Sequence, residues 1–251
     1  MLSAAKIKLI RSLSRKKCRK EEGLFLAEGP KVVGELSGHF ECALLAGTEK
    51  WFARQRGSVC QALESFTITE QELCRASLLQ MPQEVLALFR IPARGCNIHI
   101  AERKLCLALD GVQDPGNLGT IVRIADWFGI TDIFCSHETA DIFNPKSVQA
   151  TMGAVARVNV HYVDLQKELS SLEEGTPIYG TFMNGDNIYN TELCGNGVVV
   201  MGNEGTGITP GISSIVNHKI GIPSFPAGRP TSESLNVAVA TAIVCSEFRR
   251  R

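Results

Sequence analysis

From Leu105 onward one repeating pattern restricts the fold more than any other feature of the chain. An apolar run ends in a glycine-rich or polar turn, a helix-like segment follows, and the pattern starts again. The runs are "LCLALDG", "TDIFCS", "RVNVHYVD", "PIYGTFM", "GVVVMGNEG" and "HKIGIPSF". Strands that are apolar at successive positions, rather than at alternate ones, are covered on both faces. Strands of this kind alternating with helices predict an α/β domain with a parallel sheet. Such sheets bind ligands outside the carboxyl ends of their strands, so function is to be sought in the turns.

The first hundred residues differ. An amphipathic helix through "AAKIKLIRSLSRK" leads to a strand "GLFLAEG", a helix from Pro30, a strand "CALLAG" and a helix around "TEKWFARQRG". A strand "SFTIT", a helix "EQELCRAS" and the apolar segment "QEVLALFRIP" close this small α/β unit, and "ARGCNIHIAERK" reads as a connector. The expected division is a domain over 1–100 and a second over 101–251. Formal net charge is zero, yet Lys6, Lys8, Arg11, Arg15, Lys16, Lys17, Arg19 and Lys20 place eight cations before the first acid, Glu21. Such a cluster suits a phosphate backbone. A solvated helix face would look the same.

Several classes fall away. The apolar fraction of 44% beside 21% charged residues is that of a folded globular protein. There is no apolar run long enough to span a bilayer, and the N-terminus lacks the unbroken apolar core of a signal peptide, so a cytoplasmic location is expected. The nine cysteines never form C-x-x-C, and the five histidines are dispersed, so reduced, mostly buried thiols and no metal site are expected.

Three turns carry unusual residues. In "LDGVQDPGNLGTIVRIADWFGI" Asn117 is a good N-cap for a helix that Gly129 can end in a left-handed conformation. Arg123 then lies near the end of the second turn. Its side chain could lean back to the mouth of the strand, or pair with Asp126 or Asp110 on the surface. In "VVVMGNEGTGITP" Gly202, Gly205 and Gly207 surround Glu204; either a ligand approaches the backbone here or the chain makes a tight turn. The spacing fits neither the dinucleotide fingerprint nor the phosphate loop, which disfavours a nucleotide-dependent oxidoreductase. In "IGIPSFPAGRPTSESLNVAVATAIVCSEF" Ser234 and Asn236 open a nearly uncharged helix that must be buried. Capping by Ser234 would explain one of these polar residues and not the other. Without a G-x-S-x-G elbow or a histidine partner, Ser234 does not read as a nucleophile.

Together N-x-G-x-x-x-R (Asn117 to Arg123), G-N-E-G-x-G (Gly202 to Gly207) and I-P-x-x-x-x-G-x-x-x-S-x-S-L-N-V (Ile222 to Val237) resemble, in order and spacing, the three motifs of the SpoU/TrmH family of RNA ribose methyltransferases. The first hundred residues resemble, more loosely, the RNA-binding domain that precedes the catalytic domain in many members. The resemblance implies a SPOUT-type parallel sheet with a C-terminal trefoil knot, an exception to the rule against knots. It also implies S-adenosylmethionine as cofactor, a structured rRNA or tRNA as substrate, and a homodimer. Thr181, Phe182, Met201, Gly202, Asn203, Gly207, Ile222 and Leu235 would then surround the cofactor, mostly through main-chain groups. Asn117, Arg123, Glu204, Ser234 and Asn236 match the polar catalytic set, and Arg15, Lys16, Lys17 and Arg19 would bind RNA.

A ribose 2′-hydroxyl is a poor nucleophile, and positioning of the reactants can supply much of the acceleration. A guanidinium is too basic to serve readily as a proton acceptor, so Arg123 is expected to bind phosphate and polarise the hydroxyl. Asn117, Ser234 and Asn236 would fix the loops and Glu204 would orient them. A dimeric scaffold that binds RNA without catalysis is the alternative.

Overall fold

The computed structural model describes residues 1–55, 60–93, 95–226 and 234–250. In chain order its elements are α1 (Ala4–Ser12), α2 (Lys16–Glu22), β1 (Leu24–Glu28), α3 (Pro30–Leu36), β2 (Cys42–Thr48), α4 (Glu49–Arg54), β3 (Ala62–Ile68), α5 (Glu70–Ala76) and β4 (Val85–Arg90). They continue with β5 (Leu105–Leu109), α6 (Pro115–Trp127), β6 (Asp132–Cys135), α7 (Pro145–Thr151), β7 (Asn159–Tyr162), α8 (Leu165–Ser170), β8 (Ile178–Asn187), β9 (Gly197–Met201), α9 (Pro210–Ser213), β10 (His218–Gly221) and α10 (Val237–Arg250). No helix among the described residues is long and apolar enough to cross a membrane.

Two compact units emerge. Residues 1–93 and 141–156 form the first, and residues 94–140 and 157–251 the second. Segment 141–156 lies beyond the boundary expected near residue 100, and packing explains why it joins the first unit. All five positions of β1 are buried. Leu24 and Leu26 enter a core with Ile10 and Leu13, Leu73 of α5 and Leu88 of β4. Phe25 points the other way, and its ring lies 4.7 Å from that of Phe143 and 5.2 Å from that of Phe40. The sheet of this unit is mixed, in the order β1-β4-β2-β3, with β4 antiparallel to both neighbours and β2 parallel to β3.

In the second unit the order is β10-β8-β9-β5-β6-β7, and every pairing is parallel. Cys106 and Ala108 of β5 join a core with Leu165 and Leu169 of α8 and Ile212 of α9. Strand alternation turns Leu107 and Leu109 to the opposite face. There α10 packs, with Phe248 edge-on to Tyr179 at 4.9 Å, and α6 lies against α10. Burial pushes the Cys106 and Cys245 thiols up to about 12. The thiols are less buried than expected: Cys74, Cys96 and Cys194 are exposed, since α5, the connector and the loop before β9 each leave one side open to solvent.

A third difference concerns charge. Arg19 is only 2% exposed. Its guanidinium donates to Asp141 at 3.1 and 2.6 Å and to the carbonyls of Leu13 and Ser14 at 2.7 and 3.0 Å. It is therefore spent on holding segment 141–156 and is not available to a phosphate, unlike the exposed Arg15, Lys16 and Lys17 of the same cluster.

Candidate active site

Strands β5 and β9 are neighbours in register, Leu109 beside Met201, so the turns that follow them lie side by side at the carboxyl edge of the sheet. Helix α6 begins earlier than its sequence suggests. Asp114, not Asn117, is the N-cap; its side chain accepts from the Asn117 amide at 2.7 Å, with Pro115 at the first helical position. Asn117 is thereby released from capping, and its side-chain amide turns outward to donate to Glu204 at 2.8 Å. The Asn117 side-chain oxygen accepts from the Asn236 amide at 3.0 Å. Asn236 in turn accepts from the backbone N–H groups of Ala238 and Val239 at 3.0 and 3.3 Å, so it, and not Ser234, caps α10. Each amide orientation is dictated by the next, from the α10 N-terminus to the Glu204 carboxylate, and one residue from each motif is joined in a single relay.

Beside the relay lies a cavity of about 580 Å³, within the range that holds a cofactor-sized ligand. Thr181, Phe182, Met201 and Gly202 line it, as do Asn203, Gly207, Ile222 and Leu235. Glu204 and Ser234 stand at the same wall, whereas the lining does not include Asn117, Asn236 or Arg123. A Cβ on Gly202 would sit 2.4 Å from the carbonyl carbon of Gly207, so only glycine lets this loop fold back on the strand end. Gly228 and Ser232 of the third motif, and with them the segment that would complete the expected knot, lie outside the described residues.

Arg123 falls in the third turn of α6, one turn later than expected, because the helix starts at Pro115. It shares an exposed stripe with Thr120 and Trp127, and Trp127 is 85% exposed. Neither carboxylate considered as its surface partner serves that role: Asp126 is held by Arg157 at 2.9 Å, and Asp110 accepts the Thr209 amide at 2.7 Å. The sequence reading missed Ala240 and Val244, which line the cavity from α10. Their spacing of four residues from Asn236 makes them legible once Asn236 is known to start the helix.

The residues fit S-adenosylmethionine in chemical type. The walls are apolar through Met201, Ile222, Leu235, Val237 and Val244, the side-chain-free Gly202 and Gly221 bring main chain to the lining, and a carboxylate, Glu204, offers a partner for a cationic ligand.

A parallel sheet with a glycine-shaped cavity and a polar relay at its carboxyl edge defines an α/β protein built to hold a cofactor beside a polar acceptor. The chain belongs to the SpoU rRNA methylase family, whose model matches residues 104–246. Residues 4–87 match the MRM3-like substrate binding domain. Among similar proteins, the 23S rRNA (guanosine(2553)-2'-O)-methyltransferase RlmP of Bacillus subtilis is 29% identical over 248 residues, 97% of this chain and 96% of that one. A solved structure from Porphyromonas gingivalis, assigned to the TrmH family of RNA methyltransferases, superposes with a TM-score of 0.88 at 40% identity over 100% of this chain and 99% of that one. An AdoMet-bound rRNA methyltransferase from Sinorhizobium meliloti gives a TM-score of 0.83 at 29% identity over 100% of this chain and 96% of that one.

Proposed function

We propose that this protein is a cytoplasmic methyltransferase that methylates a ribose 2′-hydroxyl of ribosomal RNA with S-adenosylmethionine as donor. The observation that carries this is the Glu204–Asn117–Asn236 relay at the wall of the cavity, which unites the three family motifs. S-adenosylmethionine supplies an electrophilic methyl group. Thr181, Phe182, Met201, Gly202, Asn203, Gly207, Ile222 and Leu235 would hold it. Asn117 and Asn236 keep the loops in register, Glu204 orients them, and Ser234, at the cavity lining, supplies a hydroxyl as a hydrogen-bonding group for the ribose. Arg123 binds the phosphate next to the target ribose and polarises its hydroxyl. The first domain, through Arg15, Lys16 and Lys17, binds the RNA backbone.

Because Arg123 lies on an exposed stripe with Trp127, its function is served by a second copy of the chain. Two chains meeting on α6 and α10, where Val239 is also 51% exposed, bring the Arg123 of one to the cavity of the other. Sedimentation of wild type and Trp127→Glu tests this: a dimer is expected for the first and a monomer for the second, and a monomeric wild type with full activity would sink the pairing.

The reaction is tested by incubating the protein with radiolabelled S-adenosylmethionine and total RNA from a strain lacking its gene. Mass spectrometry then maps the label. Label on a ribose oxygen of rRNA is the expected result; label on a base, or none despite cofactor binding by calorimetry, would overturn it.

A further inference from the structure

Glu204 can meet Asn117 only if its loop is held still, and the residues that hold it lie at the end of β5. Asp110, the residue after β5, is 4% exposed and continues the strand pairing by donating its own N–H to the Met201 carbonyl at 2.9 Å. One oxygen of its carboxylate accepts the Thr209 amide at 2.7 Å. At the other end of the loop the Asn203 side chain is fully engaged. Its NH₂ group donates to the Gly111 carbonyl at 2.7 Å, and its oxygen accepts from the amides of Gly205 and Thr206 at 2.8 and 3.1 Å. The main chain closes the same loop, with Asn203 and Gly207 exchanging backbone hydrogen bonds at 3.0 and 2.9 Å. Gly111 is itself pinned, since its N–H donates to the Ser136 hydroxyl at 3.0 Å.

We propose that Asp110 and Asn203 are positioning residues that clamp both ends of the loop Gly202–Thr209 onto the turn after β5 and so set the Glu204 carboxylate against the Asn117 amide. Two consecutive residues, 110 and 111, receive both clamps, so the loop carrying Glu204 and the turn leading to Asn117 share one anchor. Asp110 lies outside the cavity lining and acts through the loop. Asn203 touches the cavity, but every polar atom of its side chain is committed to the clamp. Burial strengthens the Asp110 clamp, since a buried carboxylate left without its donor carries a desolvation cost, whereas the Asn203 bonds to Gly205 and Thr206 lie on the exposed side of the loop.

The variants are Asp110→Ala, which removes the acceptor; Asp110→Asn, which keeps one; and Asn203→Asp, which keeps the acceptor for Gly205 and Thr206 and sets oxygen against the Gly111 carbonyl. Hydrogen exchange of the Thr209 amide is expected to quicken about tenfold in Asp110→Ala and to return towards wild type in Asp110→Asn. In both Asp110→Ala and Asn203→Asp the Asn117 side-chain amide resonance moves, since its carboxylate partner is displaced. Turnover on an unmodified 23S rRNA transcript, which depends on the proposed methyl transfer, falls at least about tenfold while KM for the RNA stays within about twofold. In a Glu204→Gln background, neither substitution lowers kcat further.

An unchanged Thr209 exchange rate in Asp110→Ala, an unmoved Asn117 amide in both variants, or the same loss of turnover in the Glu204→Gln background would overturn the clamp. A wild-type protein that leaves the transcript unlabelled would count against ribosomal RNA as substrate, and the exchange and amide signals would still decide the clamp. Asn203→Asp provides the decision if Asp110→Ala does not fold.

Discussion

Both sheets bury their inner strands and handle their loops differently. In the six-stranded sheet all strands run parallel, so the chain leaves every strand at one edge. Residues 117, 204 and 236, far apart in sequence, meet there through two hydrogen bonds. In the four-stranded sheet β4 opposes its neighbours, which divides the carboxyl ends of the strands between two edges. The exposed cations Arg15, Lys16 and Lys17 of that unit instead come from one stretch of sequence, at the start of α2. A parallel sheet gathers distant residues into a site, whereas the first unit displays neighbours along one helix.

Glycine gives the largest contrast. Gly202→Ala is expected to abolish detectable cofactor binding by calorimetry, because its Cβ would meet backbone at 2.4 Å. Gly34→Ala in α3 meets nothing within 4 Å and is expected to stabilise the first unit by about 0.5–1 kcal/mol in chemical denaturation. Equal effects at the two sites would break the contrast.

The cations of the first unit sharpen it next. Arg19→Ala leaves Asp141 without its partner and should cost about 3 kcal/mol of stability. Lys16→Ala with Lys17→Ala should leave the melting temperature in place and lower the salt slope of RNA binding by up to about 2, as the loss of two phosphate contacts requires. A slope that does not change would mean that α2 is only a solvated face.

In the second unit Arg123→Ala is expected to reduce kcat by about 10²-fold with cofactor affinity unchanged, since the side chain is exposed and lies outside the cavity lining. Full turnover by this variant would remove Arg123 from the chemistry.

The smallest effects are those of pH, and they have opposite signs. Burial holds the Glu28 carboxyl above its ordinary 4.5, against the bonds from Ser77 and the Leu78 amide. The folded state therefore binds this proton more tightly, and stability gains as pH falls from the folded value to about 4.5. Asp132 is held below its ordinary 3.8, chiefly by the hydrogen bond with His161 at 3.0 Å and also by Thr131 and Asn159. Its contribution is complete above 3.8 and is lost as pH falls through the lower folded value. Denaturant titrations against pH should lose the first slope in Glu28→Gln and the second in Asp132→Asn.

Much of this was legible in the sequence. The six apolar runs mark β5, β6, β7, β8, β9 and β10 because a strand's apolar character is written in its own residues, and the three motifs hold every residue of the relay. The cap of α6 lies at Asp114, three residues before the expected Asn117, and at α10, where Ser234 and Asn236 are both candidates, Asn236 holds the cap. Asp114 and Asn117 are both good caps, as are Ser234 and Asn236, and local propensity does not choose between two such residues in one turn. The choice fell to contacts 87 and 119 residues away, where Asn117 and Asn236 find each other and Glu204.

By itself, then, the sequence determined the elements, the parallel sheet and the residue types at its carboxyl edge, since these follow from periodicity and turn chemistry over a few residues. Only the tertiary structure decided that Arg19 is a buried strut and not a phosphate ligand, because its partner Asp141 lies 122 residues along the chain. It also decided that segment 141–156 packs with β1, and that Arg123 rides the exposed stripe of α6. Each outcome depends on which surfaces meet, and a chain with two sheets offers more possible meetings than its local pattern can rank.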